Sequence, residues 1–120
     1  MEITHVSHNT IRSVVENQLE AFQKDDAELA FALASPEIQV QFITAKNFLN
    51  TVKSDYQPVY RPRSVLFEEI TMFQGYITQP VLLLAEDGNP VRALYLMAQQ
   101  SDQKWKIKGC FLVPVEFISM

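Results

Sequence analysis

The sequence predicts an α+β fold, with three to four N-terminal helices packed on one face of a curved four-stranded antiparallel sheet. Three observations lead there. Apolar residues recur at helical spacing through the first half of the chain. After Ser64 they change to short β-compatible runs separated by polar turns. Between the two lies Tyr56-Gln-Pro58-Val-Tyr60-Arg-Pro62-Arg63, whose prolines break helices and favour extended backbone. It reads as the crossing from the helices, about 9–54, to the sheet, about 64–115. Segregated helices and strands are the mark of an α+β layout.

The first helix is the clearest. Ile11, Val14, Val15, Leu19 and Phe22 share one face, Ser7 or Asn9 is its expected cap, and it should end near Lys24. Asp25-Asp26-Ala-Glu28 resembles a capping box that opens an Ala-rich second helix. Ser35-Pro36 reads as the cap and first-turn proline of a short helix with Ile38 and Phe42. Thr44 is placed to cap a fourth, with Ala45, Phe48, Leu49 and Val52 on one face and Lys53 near its end.

The sheet begins with Ser64 to Phe73 as one run, ended by Gln74-Gly75. Tyr76 to Ala85 follows and closes on Glu86-Asp87-Gly88-Asn89, where glycine supplies the positive φ of a hairpin turn. Val91 to Gln100 and Lys104 to Val115 complete it. Connections this short make the strands antiparallel. Alternation in the last run puts Lys104, Lys106 and Lys108 on a wet face and Trp105, Ile107, Phe111 and Val113 on the inner one. The two middle runs are apolar on both faces, which implies cover on both. Helices cover one face. The other, carrying Leu82, Leu84, Leu94 and Leu96, is the expected interface of a homodimer. Pro80 marks a bulge, a strand start or an edge.

A chain of 120 residues suggests one domain, 1–120, and 48% hydrophobic with 20% charged residues is ordinary globular composition. A net charge of −4 argues against nucleic acid and anionic membrane as partners. No apolar run is long enough for a membrane span, and no signal peptide stands at Met1. Cys110 is the only cysteine, which fits a reducing cytoplasm.

Gln18-Leu-Glu-Ala-Phe22, Ala30-Phe-Ala-Leu-Ala-Ser-Pro-Glu-Ile38, Phe48-Leu-Asn-Thr-Val52, Tyr56-Gln-Pro-Val-Tyr-Arg-Pro62 and Trp105-Lys-Ile-Lys-Gly-Cys110 together cover most of the chain. In these pieces the sequence resembles a bacterial family of unknown function within the cystatin-like, nuclear-transport-factor-2-like superfamily. The resemblance implies a cone-shaped cavity between helices and concave sheet, and dimerisation through the outer sheet face. Superfamily members include scaffolds, small-ligand binders, and enzymes such as ketosteroid isomerase and scytalone dehydratase; fold alone does not choose among them.

The expected ligand pocket draws on Tyr56, Tyr60, Arg61, Arg63, Phe67, Gln79, Tyr95, Met97, Trp105 and Phe111. Tyr60-Arg61-Pro62-Arg63 suits a carboxylate or phosphate at a pocket mouth, against the plainer reading that the arginines face water. The aromatic set lines the concave face or is core. Gln79 is either a ligand-orienting group or an exposed strand residue. A ligand that is small and apolar or anionic is expected, with no cofactor. The alternative is an isomerase- or dehydratase-like enzyme pairing a tyrosine donor with an inward carboxylate, Glu68 or Glu69. No catalytic constellation supports it. His5-x-x-His8 is half of a metal site with no third ligand, so no metal is expected. Gly75, Gly88 and Gly109 form no phosphate loop, and Cys110 reads as a small packed hydrophobe.

Overall fold

A computed structural model describes residues 5–115, with side chains from Ser7 onward. It is an α+β fold of five helices and an open five-stranded antiparallel sheet. The helices are α1 (His5–Gln23), α2 (Ala27–Ala32), α3 (Pro36–Phe42), α4 (Ala45–Asp55) and α5 (Gln57–Tyr60). The strands are β1 (Ser64–Phe67), β2 (Thr71–Phe73), β3 (Tyr76–Leu84), β4 (Pro90–Gln99) and β5 (Trp105–Pro114). The sheet is a meander in the order β1-β3-β4-β5, and β2 also pairs with β3.

Helix α1 starts earlier than its expected caps, so Ser7 and Asn9 lie inside it. At its end Asp25 takes φ 54°, and the Asp26 N–H donates to Ala21 O at 2.8 Å. This left-handed stop satisfies the helix's last carbonyls. The cap of α2 is therefore Asp26, whose side chain accepts from Leu29 N, and not Asp25 with Glu28. Ser35 and Thr44 cap α3 and α4 as their positions suggest. The Pro58 segment forms one helical turn, α5, where extended backbone was expected; proline fits a helix's first turn because its missing N–H would have no partner there.

The run 64–73 is split into β1 and β2 by Glu68-Glu69-Ile70. Buried Gln79 explains the split. Its Nε2 donates to Glu68 O at 2.7 Å and to Pro80 O at 2.8 Å, so a side chain takes the Glu68 carbonyl while Glu68 N still donates to Pro80 O at 3.0 Å, the last backbone bond before the break. Gln79 is thus not an exposed strand position.

Trp105 and Ile107 face the helices, as alternation requires. A β-bulge at Lys108 then shifts the register: Met97 pairs with Ile107 but Leu96 pairs with Gly109. An extra residue reverses the parity beyond it. Cys110 and Leu112 turn inward opposite Tyr95 and Ala93, while Phe111 and Val113 turn outward beside Leu94 and Arg92. The expected inward placement of Phe111 and Val113 is corrected accordingly. Phe111 is 47% exposed, and its ring meets Phe73 of β2 with centroids 6.0 Å apart.

One core lies between the helices and the inner sheet face, built from Ile11, Val15 and Phe22 below and Val81, Leu83 and Tyr95 above. The connection between α2 and α3 is stitched to β5. Ser35 N donates to Ile107 O at 2.8 Å and Ile107 N donates to Leu33 O at 2.9 Å. That link holds the helical layer against the edge of the sheet.

Among the described residues the outer face carries one ion pair. Arg92 donates to both Glu68 oxygens, at 2.7 and 3.0 Å, and holds that carboxyl below its ordinary range. A carboxyl lowered in the folded state adds stability above its unfolded pKa and loses it as pH falls through the folded one. Both side chains are about one-third exposed, so the pair is worth at most about 1 kcal/mol. Arg92→Met should therefore lower the urea midpoint near pH 7, and the difference from wild type should close as pH falls below the ordinary carboxyl range.

Candidate functional site

A cavity of about 260 Å³ lies between the helices and the bulged end of β5. Helix α1 contributes Gln18 and Phe22 because both follow its apolar stripe. Helix α4 contributes Phe48, Thr51 and Val52 in the same way. Phe42 comes from α3, Tyr56 and Val59 from around α5, and Tyr95 and Cys110 from the sheet.

Phe48 is the hub of the aromatic wall. Its ring lies 6.0 Å from Phe22, 5.5 Å from Phe31 and 5.4 Å from Phe42, the last edge-on. Gln18 is buried and donates to Ala30 O at 3.0 Å, fixing α1 to α2 beneath the cavity. Helix α3 buries none of its own residues, yet gives Ile38, Gln41 and Phe42 to the rim. It ends in a strained turn. Ile43 has φ 72° and ψ −50°, and Thr44 N donates to Phe42 O at 2.8 Å. A γ-turn of this hand is costly for a β-branched residue.

Tyr95 and Cys110 face each other across the β4–β5 ladder. Burial raises the Tyr95 phenol well above its ordinary range, with Cys110 adding to the shift. Burial also raises the Cys110 thiol to about 12. Both groups are therefore neutral at physiological pH, and Cys110 is a poor nucleophile. The hydroxyl and the thiol are close enough to shift each other's titration, but their contact is too long or too bent for an ordinary hydrogen bond, so this weak sulfur neighbour is all that buried Tyr95 Oη has. Tyr56 is half-buried, and desolvation raises its phenol too.

Of the expected site residues, the cavity brings together Tyr56, Tyr95 and Phe111, the last at the rim. Phe67 and Gln79 line a separate, broader depression of about 390 Å³ with His8, Arg12 and Glu69. There Arg12 lies 4.7 Å over the Phe67 ring. His8 is exposed, and the His5 side chain lies outside the described residues. Among the described residues no cluster of three His, Cys, Asp or Glu groups is placed to hold a metal.

Tyr60 and Arg61 do not reach the cavity. The Tyr60 hydroxyl donates to Asp25 Oδ1 at 2.5 Å, and Arg61 donates to Asp25 Oδ2 at 3.3 Å. Lys53 approaches the same carboxylate at 3.6 Å. The cluster ties the α1–α2 turn to α4 and α5 and holds the Asp25 carboxyl below its ordinary range, chiefly through the Tyr60 hydroxyl. Arg63 is exposed beside the β3–β4 turn, close to Gly88. Met97 and Trp105 are core.

Sequence reasoning missed Phe22, Phe42, Phe48 and Cys110 as wall residues. The three phenylalanines were visible as apolar positions, but helical spacing does not separate a core ring from a cavity wall. Neither proposed base enters the cavity. Glu68 is on the outer face with Arg92 and Glu69 is exposed, so among the described residues the wall has a tyrosine donor and no carboxylate.

A family model described as Domain of unknown function (DUF4864) matches residues 4–119. No curated protein and no solved structure matches the chain.

Proposed function

We propose, for a chain that belongs to the DUF4864 family of domains of unknown function, that it binds a small and mostly apolar molecule between its helices and sheet. The carrying observation is the aromatic-walled cavity of about 260 Å³ at the heart of the helix–sheet contact. Protein interiors are otherwise close-packed. The volume exceeds that of the ~150 Å³ engineered cavity that holds benzene, so a ligand of one or two rings fits. The wall is apolar with a few convergent polar groups, as in small-molecule sites generally. An isomerase- or dehydratase-like step would need a base that the described residues of this wall do not supply.

We read the fold as nuclear-transport-factor-2-like, and helices against the inner face of a meander sheet support that. A bacterial, cytoplasmic setting belongs to the same reading. What supports the cytoplasm is that Cys110 is a free thiol and that no described helix is long and apolar enough to cross a membrane.

The outer sheet face favours a second element, assembly into a homodimer. Leu66 is 60% exposed, Leu84, Phe111 and Val113 are exposed beside it, and Leu82 and Leu94 are half-buried between them. Leu96 is buried and adds little to this surface. The patch carries one cation and one anion, Arg92 and Glu68, already matched to each other. A second copy therefore meets it without like-charge repulsion.

Native mass spectrometry of the protein as purified tests both elements. The expected spectrum is a dimer, with a small molecule bound in a fraction of it. Leu66→Lys with Leu84→Lys should convert the dimer to monomer at micromolar concentration without loss of fold. A wild-type monomer at tens of micromolar overturns the assembly reading. Failure to bind any compact aromatic probe overturns the cavity reading.

A further inference from the structure

The cavity wall specifies more than size. Tyr95 Oη is the buried side-chain polar atom left without a hydrogen-bond partner among the described residues. Buried polar groups are rarely left so, and each exception asks for a reason. Its proton stays on, since burial disfavours the phenolate, so the group offers a donor and not a charge. Cys110 beside it is also neutral. Among the described residues the wall holds no acid. Its one charged side chain is Lys108, at the bulge, whose ammonium sits 5.0 Å from the Tyr76 ring centroid. An anion deep in the cavity would shed its water with no cation to receive it. A purely apolar ligand would leave the Tyr95 hydroxyl as it is.

We infer that the ligand is uncharged and presents a hydrogen-bond acceptor, of the carbonyl kind, to the Tyr95 hydroxyl. This rests on the ligand-binding reading above and names its ligand class. The hydroxyl is shielded from solvent. Cys110, its cross-strand partner, lines the same cavity, and its thiol must turn about its one side-chain bond for an acceptor to reach the hydroxyl. The rings of Phe22, Phe42 and Phe48 then take the flat apolar body of the ligand. Tyr95 is a recognition residue in this account.

Three probes of one shape separate the terms: acetophenone, α-methylstyrene, which replaces the carbonyl oxygen by a methylene, and benzoate, which adds a charge. Binding is followed by NMR titration of the whole chain, wild type and Tyr95→Phe. Acetophenone should bind wild type best, and Tyr95→Phe should weaken it about fivefold to tenfold. α-Methylstyrene should bind both proteins within about twofold of each other, and benzoate more weakly than either. The melting temperature of Tyr95→Phe without ligand should rise or hold, since the lost hydroxyl had only the weak contact with the Cys110 thiol. Cys110→Ala should strengthen acetophenone binding by clearing the approach.

Equal binding of acetophenone and α-methylstyrene, or no effect of Tyr95→Phe on their ratio, overturns the assignment of Tyr95 and leaves the cavity reading standing. Tighter binding of benzoate overturns the uncharged class. Binding of none of the three to wild type overturns the cavity reading and this inference with it.

Discussion

Phe48→Ala is expected to lower the unfolding free energy by about 3 to 5 kcal/mol. The side chain is only 8% exposed and meets three other rings, of Phe22, Phe31 and Phe42. Truncation removes the transfer free energy of a whole ring and the geometry-dependent part of three aromatic contacts. Collapse cannot offset the loss, because Phe48 already borders a cavity and the surrounding helices are held by their own links. Those links include Gln18 to Ala30 O, and Gln39 Nε2, which donates to Phe31 O and Ala34 O at 3.1 and 3.0 Å. The void would join the existing space. A domain of this size commonly has a total stability of about 5 to 15 kcal/mol, so the loss is a large share of it. Trp105 is the chain's one tryptophan and is buried, so its fluorescence reports urea unfolding directly. The expected signature is a lower midpoint with an unchanged slope. Phe48→Leu keeps most of the volume and should cost about half as much or less. Equal midpoints for wild type and Phe48→Ala would mean that this ring is not part of the core.

Gln79→Met is expected to cost about 2 to 3 kcal/mol, even though methionine is similar in size and less polar. Gln79 is 2% exposed and its amide feeds two backbone carbonyls, of Glu68 and Pro80. Removing the donor takes the side-chain bond from the Glu68 carbonyl where the first strand breaks, while the Pro80 carbonyl keeps the Glu68 N–H. Gln79→Glu should be worse at neutral pH, because a carboxylate facing two carbonyl oxygens is repelled and desolvated. That variant's folded-state pKa would be raised. Its penalty is then smallest below the ordinary carboxyl range and grows as pH rises through it, the opposite sign to the Glu68–Arg92 pair. Urea midpoints of both variants across about pH 4 to pH 7 test this. A flat profile for Gln79→Glu would show that the side chain had left its buried position.

Local periodicity carried most of the fold. The stripe Ile11-Val15-Leu19-Phe22 made α1 legible, and Ser35-Pro36 and Thr44 marked the starts of α3 and α4. Asp87-Gly88 made the β3–β4 hairpin legible, since only a few residues accept a φ near the 86° found at Gly88. These signals survive because they depend on a residue and its near neighbours. The presence of a helix–sheet aromatic set, with Tyr56 and Tyr95 in it, was legible for the same reason.

Tertiary structure decided the rest. Alternation through β5 assigned Phe111 inward and Cys110 outward, and a single unpaired residue at Lys108 reversed both. Nothing local to Lys108 announces it, because a bulge is a property of two strands in register. Asp25 fitted a capping box by spacing, yet its carboxylate belongs to Tyr60 and Arg61, partners 35 and 36 residues away. The Asp25 carboxylate in turn holds Tyr60 and Arg61 away from the pocket that their composition suggested. The run 64–73 read as one strand until the Gln79 amide was found occupying the Glu68 carbonyl. The sequence by itself determined the elements, their caps and the apolar faces, since these follow from spacing along one chain. Which rings wall a cavity, which hydroxyl lacks a partner and which face each β5 residue takes were fixed only when distant segments met, because hydrogen bonding and packing act through space.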